Sequence, residues 1–189
     1  MDYQRLRSFA DQLADFADQL EEGWSFEIGR QGVVVMMSPV KRHEGISWLI
    51  GKQLNAQLAT THPEFIAQSG AEVESPALGR MRRPDVVVLP EQTLLEPGAT
   101  VDPAELLAVV EIVSESNPEN DYHDKMEDYP AMRIPLYLLV DPRRGTIEVH
   151  SDPEVGRYQQ SVPYIFGDTV ALGPWTIDTS RFPRYQDPA

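Results

Sequence analysis

The sequence predicts a mixed fold of the α/β (α+β) class, with helices covering a mixed central β-sheet. Three observations predict it. Helical and strand-like stretches alternate along the chain. Val86–Leu89, Leu106–Val113 and Leu136–Val140 are apolar runs with the length of buried strands. The 189 residues, 41% apolar and 24% charged, have an ordinary globular composition and are enough for one core.

Residues 1–22 read as an amphipathic helix, because Leu6, Phe9, Leu13, Phe16 and Leu20 form one apolar stripe. Such a helix either packs on its own core or pairs with a second copy, since the spacing is also that of a coiled-coil seam. Gly23 ends it, and residues 23–189 read as a single domain. Trp24–Gly29 and Val33–Met37 read as a hairpin turning at Arg30-Gln31-Gly32, stopped by Ser38-Pro39. A second helix spans 43–60 on Ile46, Leu49, Ile50, Leu54 and Leu58, and His62-Pro63 closes it. Short strands follow at Phe65–Gln68 and Ala71–Glu74. The basic stretch Arg80-Met81-Arg82-Arg83 leads into Val86–Leu89, and residues 90–104 read as a surface loop. Asn117-Pro118 is a cap and first turn for a helix over 119–131. Beyond Leu136–Val140, Gly145 turns the chain into the alternating Thr146–His150, and strand-like pieces recur around 157–160 and 170–177.

The chain has no cysteine, which excludes disulfides, cysteine-ligated zinc and a thiol nucleophile. No apolar run approaches the length of a membrane span, and no apolar leader follows Met1-Asp2-Tyr3. A cytoplasmic protein without a membrane partner is the expectation. The net charge of −14 argues against indiscriminate nucleic-acid binding. Of 16 basic residues only Lys41, Lys52 and Lys125 are lysines, so each lysine invites a question.

Glu111 sits inside an apolar strand, where an isolated carboxylate is costly unless paired or bound to a cation. It either faces solvent at a sheet edge, pairs with a structural arginine, or serves chemistry. Asp85 opens the neighbouring apolar run. Two acids converging from two strands raise one another's pKa or recruit a cation, and magnesium suits such oxygen donors. Lys125 follows Asp121 by four residues on one helix face. The two make an exposed ion pair, or they carry an ammonium to the carboxylates. His43-Glu44 lacks the second histidine of a zinc helix, so His43 reads first as a locally bonded helix-start residue.

Several motifs stand in a specific order: Arg83-Pro84-Asp85-Val86-Val87-Val88, then Val110-Glu111-Ile112-Val113-Ser114-Glu115-Ser116, then Asp121, Lys125 and Tyr129 at intervals of four, then Pro135-Leu136-Tyr137-Leu138-Leu139-Val140-Asp141-Pro142. Together with Phe26-Glu27-Ile28, Met37-Ser38-Pro39 and His43, they resemble the Uma-two family of restriction endonucleases in the PD-(D/E)XK nuclease superfamily, over about residues 24–150. The resemblance implies a restriction-endonuclease-like core and a metal-dependent endonuclease acting on DNA. It makes Asp85, Glu111 and Lys125 the catalytic residues, and Asp85, Glu111 and the Ile112 carbonyl the holders of Mg2+ or Mn2+. Glu27 and His43 match family positions near the site, and Asp121 is placed to orient Lys125. The superfamily's lysine position is here Val113, so the ammonium comes from the following helix instead. Leu138 and Glu115 depart from the family's usual tryptophan and proline.

Lys41, Arg42, Arg82 and Arg83 are candidate DNA phosphate contacts, with a solvated charged turn as the alternative. A homodimer is expected from the need to cut two strands and from the N-terminal helix. Asp85→Ala and Lys125→Ala are expected to fold and to lose cleavage. The competing readings are a catalytically silent protein-interaction module on the same fold, favoured by the acidic charge, and a metal hydrolase of smaller phosphate esters.

Overall fold

The computed structural model describes residues 2–20, 23–37, 40–115, 118 and 120–186. The Ser38-Pro39 stop, the Asn117 cap and Ser116 of the second motif lie outside the described residues.

The chain opens with α1 (Tyr3–Gln19), capped by the Asp2 side chain on the Gln4 N–H. A hairpin follows, β1 (Ser25–Gly29) and β2 (Gly32–Met36), and then α2 (Lys41–Thr61). Next come β3 (Phe65–Gln68), β4 (Glu72–Ser75), β5 (Arg80–Arg82), β6 (Val86–Pro90), β7 (Thr100–Val101) and β8 (Ala108–Ile112). A π-helical turn, Asn120–Asp124, runs into α3 (Lys125–Ala131). The chain continues as β9 (Leu136–Asp141), β10 (Thr146–Glu154), β11 (Arg157–Ile165), β12 (Thr169–Leu172) and β13 (Trp175–Asp178).

Among the described residues the large sheet has the order β11-β10-β9-β8-β6-β3, antiparallel except for the parallel β8–β9 pair. That parallel pair needs a crossover, and the crossover carries α3. Its strands β6, β8 and β9 are buried on both faces, which is why they read as near-continuous apolar runs, whereas β10 alternates and β11 is largely exposed. Ile46, Ile50, Leu54 and Leu58 of α2, with Trp175 of the β12–β13 hairpin, pack on Val86, Val88, Val110 and Leu138. Tyr129, Met132 and Ile134 pack on Val87, Val109 and Leu139 from the other side, together with Val73 and Val101 of the small sheet.

The small sheet has the order β2-β1-β5-β4-β7. Its core is α1 laid on Phe26, Ile28 and Met81. The stripe read from the sequence is split here. Leu6 and Leu13 face the sheet beside Ala10 and Ala17, whereas Phe9, Phe16 and Leu20 are about half exposed. Close approach of helix to sheet favours alanine on the buried face, and a hydrophobicity pattern does not register that. β5 and β7 leave no strand pattern in the sequence, and the stretch that reads as a loop over 90–104 contributes β7, paired in parallel with β4. Strands of two or three residues are too short to show a period.

Candidate active site

The register of the large sheet places the two acids together. Val86 pairs with Val110, so Asp85, one step before β6, stands level with Glu111 near the end of β8. The Ile112 N–H donates to Asp85 Oδ2 at 2.7 Å, fixing the carboxylate against the strand. His43, in the first turn of α2, points its Nε2 at the same two groups, 3.0 Å from the Ile112 carbonyl oxygen and 3.2 Å from Asp85 Oδ2. Both partners only accept, so Nε2 carries the proton. Burial works against a charged imidazole, but the hydrogen bond and charge of Asp85 and the Ile112 carbonyl outweigh it and raise the His43 pKa. His43 is therefore bonded across the fold to the site, not locally within its helix.

Glu111 is buried, and it neither faces solvent nor pairs with an arginine. Its Oε2 lies 2.8 Å from the Lys125 ammonium, and its Oε1 accepts the Tyr129 hydroxyl. Lys125 is also buried, 3.0 Å from Asp121 Oδ1 and 3.5 Å from Glu27 Oε1. The Asp121–Lys125 pair is thus no surface pair. The π-helical turn carries Asn120 and Asp121 inward beside the first residue of α3, a distortion often found at functional sites.

Charge in this cluster is lopsided. Burial, with Asp85, Asp121 and Glu27 nearby, pushes the Glu111 carboxyl well above its usual range despite Lys125. Burial likewise raises Asp121. Burial opposes the Lys125 charge, but Asp121, Glu111, Glu27 and Asp85 together hold that ammonium charged well beyond its usual pKa. Three carboxylates share one buried lysine, so Lys125→Ala would leave Glu111 and Asp121 without their counter-charge. The variant is expected to lose stability on that ground.

Glu27, on β1, is fully enclosed. Its Oε2 accepts from Arg82 Nη1 at 2.9 Å and Asn120 Nδ2 at 3.1 Å, and its Oε1 from the Arg83 N–H at 3.0 Å. Burial would raise its pKa, but Lys125, Arg82 and these hydrogen bonds lower it to about 2. Saturated in this way, Glu27 is an electrostatic anchor for Lys125 and has no oxygen to spare for a cation.

Two of the four basic phosphate candidates are already engaged. Arg82 has 0% exposure and bonds Glu27, Asn120 and Asp128, so it cannot reach a phosphate. It joins the small sheet to α3. Arg42 donates to the Arg184 and Tyr185 carbonyls at 2.8 and 2.6 Å, tying down the C-terminal segment. Arg83 is 35% exposed and lines the site, 3.7 Å from Glu72, and Lys41 is exposed.

Asp85, Glu111, Ile112, Lys125, Asp121 and His43 line one cavity of about 510 Å3. Among the described residues, no three acidic or histidine side chains form a ready-made metal cage. Asp85, Glu111 and Ile112 nonetheless line this cavity, and their two carboxylates and one carbonyl are an all-oxygen set of the kind that magnesium or manganese takes. Tyr129 went unassigned in the sequence beyond its place in the motif. Its position four residues after Lys125 is the signal that it shares that helix face.

Comparison with known proteins agrees with this architecture. The model of the Uma2 family, described as "Putative restriction endonuclease", matches residues 11–176. No curated protein matches the chain. Among solved structures, a "putative nuclease belonging to DUF820" from Anabaena variabilis superposes with a TM-score of 0.66 at 13% identity. The match covers 84% of this chain and 89% of that one, and at this identity it establishes a shared fold.

Proposed function

From the premise that the chain belongs to the Uma2 restriction-endonuclease family, we propose that it is a divalent-metal-dependent nuclease hydrolysing DNA phosphodiesters. The observation that carries this reading is the meeting of Asp85, Glu111 and Lys125 on one cavity from two strands and a helix. Asp85, Glu111 and the Ile112 carbonyl would hold Mg2+ or Mn2+. When bound, the cation supplies Lewis acidity toward the scissile phosphate and a lowered pKa for a coordinated water.

The chain's own groups do the rest. His43 and the Ile112 N–H hold Asp85 in one orientation. Asp121 and Glu27 keep Lys125 charged and aimed. The Lys125 ammonium donates hydrogen bonds to the attacking water or to charge developing on the phosphate, where a preorganised donor in a dry site is most effective. Arg83 and Lys41 stand at the cavity and beside it for flanking phosphates.

A catalytically silent module has one observation in its favour: both Glu111 oxygens already have protein partners. Calorimetry with Mg2+ and Mn2+ on the parent and Glu111→Gln, with plasmid nicking on the same samples, separates the two readings. The nuclease reading expects cation binding and nicking that both vanish in the variant. A parent that binds no cation, even with DNA present, overturns it.

A further inference from the structure

The outer face of α2 leads away from the cavity and holds side chains that neither the core nor the site uses. Met37, Val40, His43 and Glu44 line the cavity where α2 begins. One turn beyond Glu44, Trp48 is 60% exposed. Lys41 and Lys52 are exposed on the same face, and the Lys52 ammonium lies 4.9 Å from the centroid of the Trp48 ring. Two of the chain's three lysines therefore flank one exposed indole, in a protein whose net charge is −14.

The surroundings of Trp48 are cleared. Gly45 and Gly51 stand three residues before and after it, and a Cβ at either would meet nothing within 4 Å. Packing thus does not require glycine at either place, and each costs the helix about 1 kcal/mol relative to alanine. Both lie beside Trp48 on the helix surface, at the i±3 positions. What their absent side chains provide is flat, open approach to the indole.

We propose that this face is a single-strand track: Trp48 stacks an unpaired base of the substrate, and Lys41 and Lys52 hold phosphates on either side. The inference rests on the nuclease reading above and narrows its substrate to DNA with unpaired bases. Stacking on an exposed aromatic flanked by cations is how sequence-tolerant single-strand binders work, because every base offers a π-face. Lys52 sits over the ring, and a cation there strengthens the same kind of sandwich. Lys41 and Lys52 are about 16 Å apart along the helix axis, a span that an extended strand crosses with a few nucleotides. Glu44 is the acidic member of the strip, and it lies at the cavity end.

The test is binding of fluorescein-labelled oligothymidine, against a duplex of equal length, to the full chain in EDTA so that nothing is cut. The parent is expected to prefer the single strand and to show indole quenching on binding. Trp48→Ala should weaken single-strand binding by about 5- to 150-fold. Trp48→Phe should keep most of the affinity and lose that quenching. Lys52→Ala should lower the salt slope for single strands by about 0.7. Trp48 is exposed, so these variants fold. Equal oligothymidine binding by the parent and Trp48→Ala overturns the proposal, as does a preference for duplex. A parent dimer that Trp48→Ala dissociates, with no effect on oligonucleotide, assigns the face to a second copy and also overturns it. Parent nicking of plasmid, lost in Asp85→Ala, is read separately. If it persists while the Trp48 variants bind like the parent, only the track fails. If the parent neither nicks nor binds, the nuclease reading fails with it.

Discussion

Tyr129 donates its hydroxyl to Glu111, so the acid in the middle of the large sheet is held by two residues one helical turn apart, Lys125 and Tyr129. Tyr129→Phe removes only that donor and leaves a buried carboxylate oxygen unpaired. We expect a loss of about 1–3 kcal/mol in stability with the fold retained, read by urea unfolding at constant slope.

Lys125→Met removes the one buried cation that three carboxylates share. Breaking a buried pair from one side costs about 3–5 kcal/mol. A divalent cation at Glu111 competes with the ammonium for the same oxygens, so the variant should bind Ca2+ or Mg2+ more tightly than the parent. Its melting temperature should then rise on adding the cation, by more than the parent's does. Equal cation affinity in the two proteins would show that metal and lysine do not share Glu111.

Arg82→Met should destabilise the protein by about 3–5 kcal/mol, and Arg82→Lys should fail to restore it, because a compact ammonium lacks the planar fork whose separate nitrogens reach Asp128 on one side and Glu27 and Asn120 on the other. Lys41→Ala should leave stability unchanged and lower the salt dependence of DNA binding. Thermal melts and a salt titration of the two proteins separate an internal tie from a phosphate contact.

Glu27 gives a pH signature. Its folded pKa is depressed to about 2 from an ordinary 4.5. The stability it contributes is therefore complete above about pH 4.5 and is lost as pH falls toward 2, on the order of 3 kcal/mol in all. The stability gap between the parent and Glu27→Gln should be widest above pH 5 and should close on acidification. A gap that stays constant from pH 5 to about 2 would contradict the charge argument.

The acids of the site were legible from their apolar neighbours: Glu111 interrupts the run that becomes β8, and Asp85 opens the run that becomes β6. Lys125 was legible as one of three lysines, and its spacing from Asp121 put both on one face. Arg82 was not. Side by side with Arg80 and Arg83 it looks like a solvated turn. Its burial depends on β5 inserting between β1 and β4, a pairing of residues some fifty positions apart that no local pattern records. The role of Glu27 was hidden for the same reason, since its partners come from β5 and from the turn before α3. The π-helical turn was hidden as well, because its first residues read as an ordinary capped helix.

The tie between Glu27 and Asn120 spans 93 positions. Lys125 meets Glu27 and Glu111 only when both sheets and the β8–β9 crossover have come together, and the Tyr185 hydroxyl bonds the Val113 carbonyl from 72 positions further on. No single hairpin or helix holds the assembled cluster. A fragment ending before residue 125 carries Glu27, Asp85, Glu111 and Asp121 without their lysine, and the constellation is complete only when α3 and β9 have joined the earlier strands. Order in the cluster therefore reports long-range assembly of the fold, which the formation of a single hairpin or helix cannot supply.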